Sequence, residues 1–149
     1  MSVEENSYNL INLNNNKINS DDTIAMPYNL EAEQSLLGAI LFDNTTLEKT
    51  MDLIKDYHLY EPLHQEIYQA CITLFDNNKL ADPTTLKGYL RDKNPNRKID
   101  ISDYLNKLKG SVLSISNINS YANEIKNCYL RRCLIRLSDD IKENSLNIK

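Results

Sequence analysis

The sequence predicts an all-α protein, on three observations. Apolar residues recur at three- and four-residue spacing in one segment after another. Residues able to cap a helix stand directly ahead of several of those segments, twice with proline at a first-turn position. The stretch from Ile118 to about Asn144 keeps a helical pattern with neither proline nor glycine inside it. At 149 residues and 17.2 kDa the chain suits a single compact core. Its 41% hydrophobic and 26% charged residues are those of a soluble globular protein, with no apolar run near the roughly 20 residues a membrane helix needs. The opening Met1 to Asn6 is acidic and leads into no apolar block, so the expectation is no secretory signal and a cytoplasmic protein.

Residues 1–25 are polar and Asn-rich, with too few apolar positions to bury a face, and are expected to form a disordered tail. The folded part is expected from Met26. Pro27 ends the tail, and Asn29 caps a helix carrying Leu30, Leu36, Leu37, Ile40 and Leu41 on an apolar stripe interrupted by Glu33. Glu31 and Glu33 lie in its first turn, at the positive end of the helix dipole. Thr45 and Glu48 have capping-box spacing and open a second, short helix with Leu47, Met51 and Ile54 inward. Tyr60-Glu61-Pro62 starts a third with Leu63, Ile67, Cys71 and Leu74 on one face, stopping near Asp76-Asn77-Asn78. Asp82-Pro83 starts a fourth with Leu86, Tyr89 and Leu90, broken at Asp92 to Asn96. A short helix from Asp100 or Ser102 carries Leu105, Leu108 and Val112.

The last helix, from Ile118, would be roughly 40 Å long at 1.5 Å per residue, too long for a small body to cover. Ile118, Ala122, Ile125, Tyr129 and Cys133 fall within roughly 80° on its wheel, and Leu130, Leu134, Leu137 and Ile141 form a second cluster turned by roughly 100°. Two arrangements cover both stripes. Either the second packs on another helix, as from a second copy, or an irregular local bundle encloses both.

Chemistry is sparse. Three glycines, Gly38, Gly88 and Gly110, are too scattered for a P-loop or a dinucleotide turn, so no cofactor is expected in this chain. Cys71, Cys128 and Cys133 lack disulfide spacing and read as buried small hydrophobes. Cys128 and Cys133 point about 140° apart and His64 lies about 10 Å from Cys71 along a helix, so no metal site is expected. His58 and His64 flank a connection where capping or packing is the common role. No nucleophile elbow appears, Glu31 and Glu33 point to different sides of a helix, and no catalytic residue is expected.

Charge argues against tight DNA binding. The net charge is −4, with −3 in each of residues 1–25 and 26–99 and +2 in residues 100–149, whereas phosphate neutralisation calls for a basic excess. Nine tyrosines are spread along the chain, not interleaved with basic residues. Arg131, Arg132 and Arg136 read either as a solvated helix face or as a patch for an acidic partner or nucleic acid.

The run Pro27-Tyr28-Asn29-Leu30-Glu31-Ala32-Glu33-Gln34-Ser35-Leu36-Leu37-Gly38-Ala39-Ile40-Leu41 closely resembles the opening of the N-terminal domain of DnaB, the bacterial replicative DNA helicase. The resemblance continues at Tyr60 to Tyr68, Asp82 to Leu86, Tyr104 to Leu108, Ile118 to Ile125 and Leu130-Arg131-Arg132, covering about 26–144 in one register. It implies a small helical globular head, here 26–99, and a protruding antiparallel helical hairpin, here 100–149, with Asp100 to Val112 running against Ile118 to Asn144. In that family hairpins pair two subunits, three pairs form the collar of a hexameric ring, the collar docks primase, and a separate RecA-like domain uses ATP and Mg to translocate on single-stranded DNA. That ATPase half is absent from this sequence, so unwinding is not carried over, and single-stranded DNA is expected to be met only through a full-length helicase. Where the family often has a glycine pair ahead of the hairpin, this chain has Ile101-Ser102-Asp103.

The expectation is therefore a non-catalytic assembly module of a replicative helicase, dimerising through Leu130, Leu134, Leu137 and Ile141 and docking primase. A stand-alone regulator that inserts into a helicase ring, or a weak single-stranded DNA-binding module acting through Arg131, Arg132 and Arg136, are the alternatives.

Overall fold

A computed structural model describes residues 25–96, 100–112 and 116–147, and every regular element in them is helical. The expected tail, residues 1–25, lies outside the described residues except for Ala25. In chain order the elements are α1 (Leu30–Phe42), α2 (Thr45–Thr50), a 3₁₀ turn (Asp56–His58), α3 (Pro62–Asp76), α4 (Pro83–Lys93), α5 (Ile101–Gly110) and α6 (Ile118–Leu146).

Helix α1 is the axis of the core. Asn29 caps it as expected, its Oδ1 accepting from Ala32 N at 2.9 Å. Its stripe is wider than the spacing alone requires, with Ala32, Glu33 and an unbroken run from Leu36 to Leu41 buried. A helix buried on most sides needs several partners, and α1 packs against α2, α3, α5 and α6. Gly38 permits the closest of these approaches, because a Cβ there would run into the backbone carbonyl of Leu108 on α5 and the side chain of Val112.

Local signals set most helix ends. Glu61 caps α3 with Pro62 in the first turn, and α3 stops in a Schellman arrangement with Asn78 left-handed (φ 55°), Asn78 N donating to Phe75 O and Lys79 N to Leu74 O. Asp82 caps α4 by accepting from Thr84 N and Thr85 N, while Thr85 Oγ1 accepts from Asp82 N. The capping box expected between Thr45 and Glu48 does not form. Asp43 Oδ1 accepts from Thr45 N instead, and Asn44 precedes the helix with its side chain drawn elsewhere. That amide donates to Ile40 O and Ala81 O and accepts from Ala81 N, tying the end of α1 to the start of α4. Helix α2 thus ends at Thr50, and buried Ile54 follows in the connection.

The expected hairpin needs correction. Helix α5 packs along α1 and α4, and among the described residues it makes little contact with α6. Leu105 and Leu108 are spent on the core, so α5 belongs to the head. Among the described residues, no other helix accompanies the outer half of the long helix. At 29 residues α6 is roughly 43 Å long, and only Ile118, Ala122, Ile125, Cys128 and Arg132 along it are buried. The buried face therefore runs through Cys128 and Arg132, with Tyr129 and Cys133, expected on it, half-buried at its edge. Beyond Cys133 no described residue of α6 is buried.

The contact at Gly38 predicts opposite outcomes for two glycine-to-alanine changes. Gly38→Ala should lower stability by about 1–3 kcal/mol, since a backbone carbonyl cannot swing aside. Gly88→Ala, in α4 with open space around it, should raise stability by about 0.5–1 kcal/mol. Urea denaturation of the two variants checks this, and equal effects would remove the close-approach argument.

Candidate functional site

The candidate functional residues lie on α6. Leu130, Leu134, Leu137 and Ile141 are 49%, 65%, 54% and 58% exposed and fall on one side of the helix. Their 4-3-4 spacing is that of a coiled-coil seam, which keeps apolar knobs facing a partner helix. By the helical wheel this seam lies nearly opposite the buried face, a larger turn than Tyr129 and Cys133 suggested. No segment among the described residues covers it.

The three arginines do not form one patch. Arg131 and Arg136 are exposed, but Arg132 is buried at 4% exposure and is not available as a surface charge. Its Nη1 donates to Pro27 O at 2.8 Å and its Nη2 to His58 O at 2.7 Å, while the guanidinium lies 5.4 Å from the Tyr60 ring centre and 5.8 Å from that of Tyr129. Two carbonyls and two aromatic faces replace part of the water such a charge gives up. Arg132 thereby locks the entry to α1 and the 3₁₀ turn onto α6. Tyr28 stacks on Tyr60 with centroids 4.6 Å apart, and Tyr57 and His58 pack against Tyr129. The sequence signal for this burial was position, since Arg132 stands four residues after Cys128 and seven after Ile125 on the buried face.

A second polar cluster lies inside the head. Glu33, only 2% exposed, accepts from Tyr60 N at 2.6 Å and Glu61 N at 3.3 Å and meets His64 Nδ1 at 2.6 Å. His64 Nε2 is 2.6 Å from the Tyr104 hydroxyl, which accepts from Gln34 Nε2. One assignment satisfies every group: Nδ1–H donates to Glu33, and Nε2 accepts from Tyr104. The cluster joins α1, α3, α5 and the connection before α3, a positioning role of the kind expected for His64. The acid interrupting the α1 stripe was its visible trace. His58 is a cap, its Nδ1 accepting from Lys55 N at 3.1 Å. Cys71, Cys128 and Cys133 are free, and no group of His, Cys, Asp or Glu among the described residues could hold a metal ion. No described helix is long and apolar enough to cross a membrane.

Comparison with known proteins fits an all-helical core with a projecting helix. The model of the DnaB-like helicase N-terminal domain family matches residues 25–127. This chain belongs to that family. The replicative DNA helicase DnaB of Rickettsia prowazekii is 32% identical over 136 residues, 89% of this chain and 28% of the helicase. The chain thus spans less than a third of that DnaB relative. The N-terminal domain of DnaB helicase from Mycobacterium tuberculosis superposes with a TM-score of 0.77 and 26% identity, over 82% of this chain and 87% of that domain. A DnaB-like replicative helicase whose structure was described with its interactions with primase gives 0.68 and 25% identity, over 81% of this chain and 28% of that one. The match to the family model ends at residue 127, before the exposed seam of α6 begins.

Two predictions follow from the buried groups. Glu33→Ala should destabilise the fold by about 3–5 kcal/mol in urea denaturation, because two backbone N–H groups and His64 lose their acceptor, whereas Tyr104→Phe should cost only about 0.5–1.5 kcal/mol. Near-equal losses would show that Glu33 does not organise the cluster. Burial first, then the charges of Lys126 and Lys55, lower the His58 pKa below its ordinary 6.5, against the opposing pull of Asp56. The unfolded chain therefore takes up this proton first as pH falls, and stability drops from below about pH 7 downward. Thermal unfolding at pH 7.5 and 5.5 should show a smaller pH-induced fall for His58→Gln than for the unaltered chain.

Proposed function

We propose that this domain is a non-catalytic assembly module of a replicative DNA helicase, pairing with a second copy through the α6 seam and presenting a surface to primase. The observation that carries the reading is the row of Leu130, Leu134, Leu137 and Ile141, roughly half-exposed or more, on a helix that overhangs its own core. Burying what remains exposed of these four side chains is worth roughly 3–6 kcal/mol per protomer. Two protomers together gain roughly 6–12 kcal/mol from these side chains, which must offset the cost of association, so pairing of the isolated domain depends on its concentration. Three such pairs in a ring would raise the effective concentration of each seam. The primase role rests on the described interaction of the structural relative. On this reading ATP and Mg act in a separate domain, and single-stranded DNA is met through the assembled helicase.

Size-exclusion chromatography with light scattering at about 100 μM should report a dimer of the purified domain. Leu134→Asp with Leu137→Asp should give a monomer whose circular dichroism is unchanged, since both positions are exposed in the protomer. A monomer for the unaltered chain at that concentration, or a dimer that survives both aspartates, would overturn the pairing role.

A further inference from the structure

On the side of α6 away from the seam, Tyr57, Tyr60, Gln65, Tyr129, Arg132 and Arg136 line an open cavity of about 400 Å³. Its charge is unusual for this chain. Arg132 is buried with two carbonyl oxygens as its hydrogen-bond partners, and no carboxylate among the described residues pairs with it. Arg132 is thus a cation held by neutral groups in the wall of the cavity. Arg136 adds a second, exposed cation at the rim. Lys55 and Lys126 lie near enough to act on His58 alongside Arg132, with Asp56 the opposing charge. Two cations thus line one hollow in a chain whose net charge is −4.

The walls suit a protein segment better than a nucleic-acid strand. Tyrosine and arginine are the residue types that dominate binding hot spots, and Tyr57 and Tyr60 are 55% and 39% exposed. Arg132 is only 4% exposed and turns one N–H of each Nη to a carbonyl inside the protein, which leaves it little open surface with which to grip a phosphate in bidentate fashion. The cations close on a single hollow, whereas a strand needs a track of contacts along successive phosphates. A lone carboxylate needs only one such place, where the Arg136 guanidinium, the Gln65 amide and the tyrosine hydroxyls can donate. We infer that this cavity is a docking pocket for an acidic segment of a protein partner, with an Asp or Glu carboxylate seated against Arg136 and beneath Arg132. The pocket is turned by roughly 130° or more from the seam, so it stands whether or not α6 pairs.

The test is a nuclear magnetic resonance titration of the ¹⁵N-labelled chain with an acetylated, amidated peptide of glutamates flanked by glycine, and in parallel with an oligothymidylate. Peptide should shift the amides of Tyr57, Tyr60, Tyr129 and Arg136. Arg136→Glu should weaken binding by about tenfold or more, while Arg131→Glu, an equal charge change outside the pocket, should leave it within about twofold. Tyr57→Ala should weaken binding while circular dichroism shows the helical fold retained, separating recognition from folding. Absence of those shifts at millimolar peptide, or equal losses for Arg131→Glu and Arg136→Glu, would overturn the inference. Tighter, Arg136-dependent binding of the oligothymidylate at the same amides would overturn it in favour of nucleic acid.

Discussion

A mismatch of lengths governs this fold. The core is organised around α1, whose 13 residues span roughly 20 Å, and α6 lies against it with 29 residues spanning roughly 43 Å. The remaining flanks of α1 are already taken by α2, α3 and α5, with α5 admitted to close contact at Gly38. Among the described residues, nothing of the head buries the far half of α6. The overhang follows from packing, and so does the exposure of the leucines on it.

Arg132 marks where the head stops holding the helix. It is the last buried residue of α6, and it fastens the entry to α1 and the 3₁₀ turn to that helix through carbonyl oxygens 105 and 74 residues away in sequence. Desolvating an arginine is expensive, and two hydrogen bonds and two aromatic faces offset part of that expense. The same residue thus ends the core and supplies positive charge to the cavity beside it. Inside the head, Glu33 plays the corresponding part for α3 and α5, taking in the free N–H groups of Tyr60 and Glu61 and holding His64 against Tyr104. Both polar anchors join segments that apolar contact alone would leave free to slide.

What could be read from the sequence was local. Asn29, Glu61-Pro62 and Asp82-Pro83 begin helices because a cap reaches only two or three residues ahead, and that information lies within a few positions of the chain. Thr45 and Glu48 satisfied the same local rule and did not make the same contact, because Asp43 captured the amide of Thr45 first. Partner choice was not legible. Leu105 and Leu108 carry a stripe that fits α1 or α6 equally well by spacing, and the three-dimensional complementarity at Gly38 decides for α1. The two faces of α6 were visible as stripes, but Arg132 on the buried one was hidden by its charge, since its carbonyl partners come from distant segments. The kinship with DnaB was carried by the run from Glu31 to Gly38, which holds both the buried acid Glu33 and the close-approach glycine Gly38 of α1.

The proposal that ties these features together is that α6 is held by its own head up to Arg132 and by a second protomer beyond it. Hydrogen exchange of α6 amides measured across protein concentrations from about 1 to 200 μM tests this directly. Protection of residues 118–132 should be independent of concentration, because the head supplies it. Protection of residues 134–145 should rise about tenfold or more over that range, as mass action fills the seam. Exchange in the outer half that is equally fast at every concentration, or equally slow, would contradict the account.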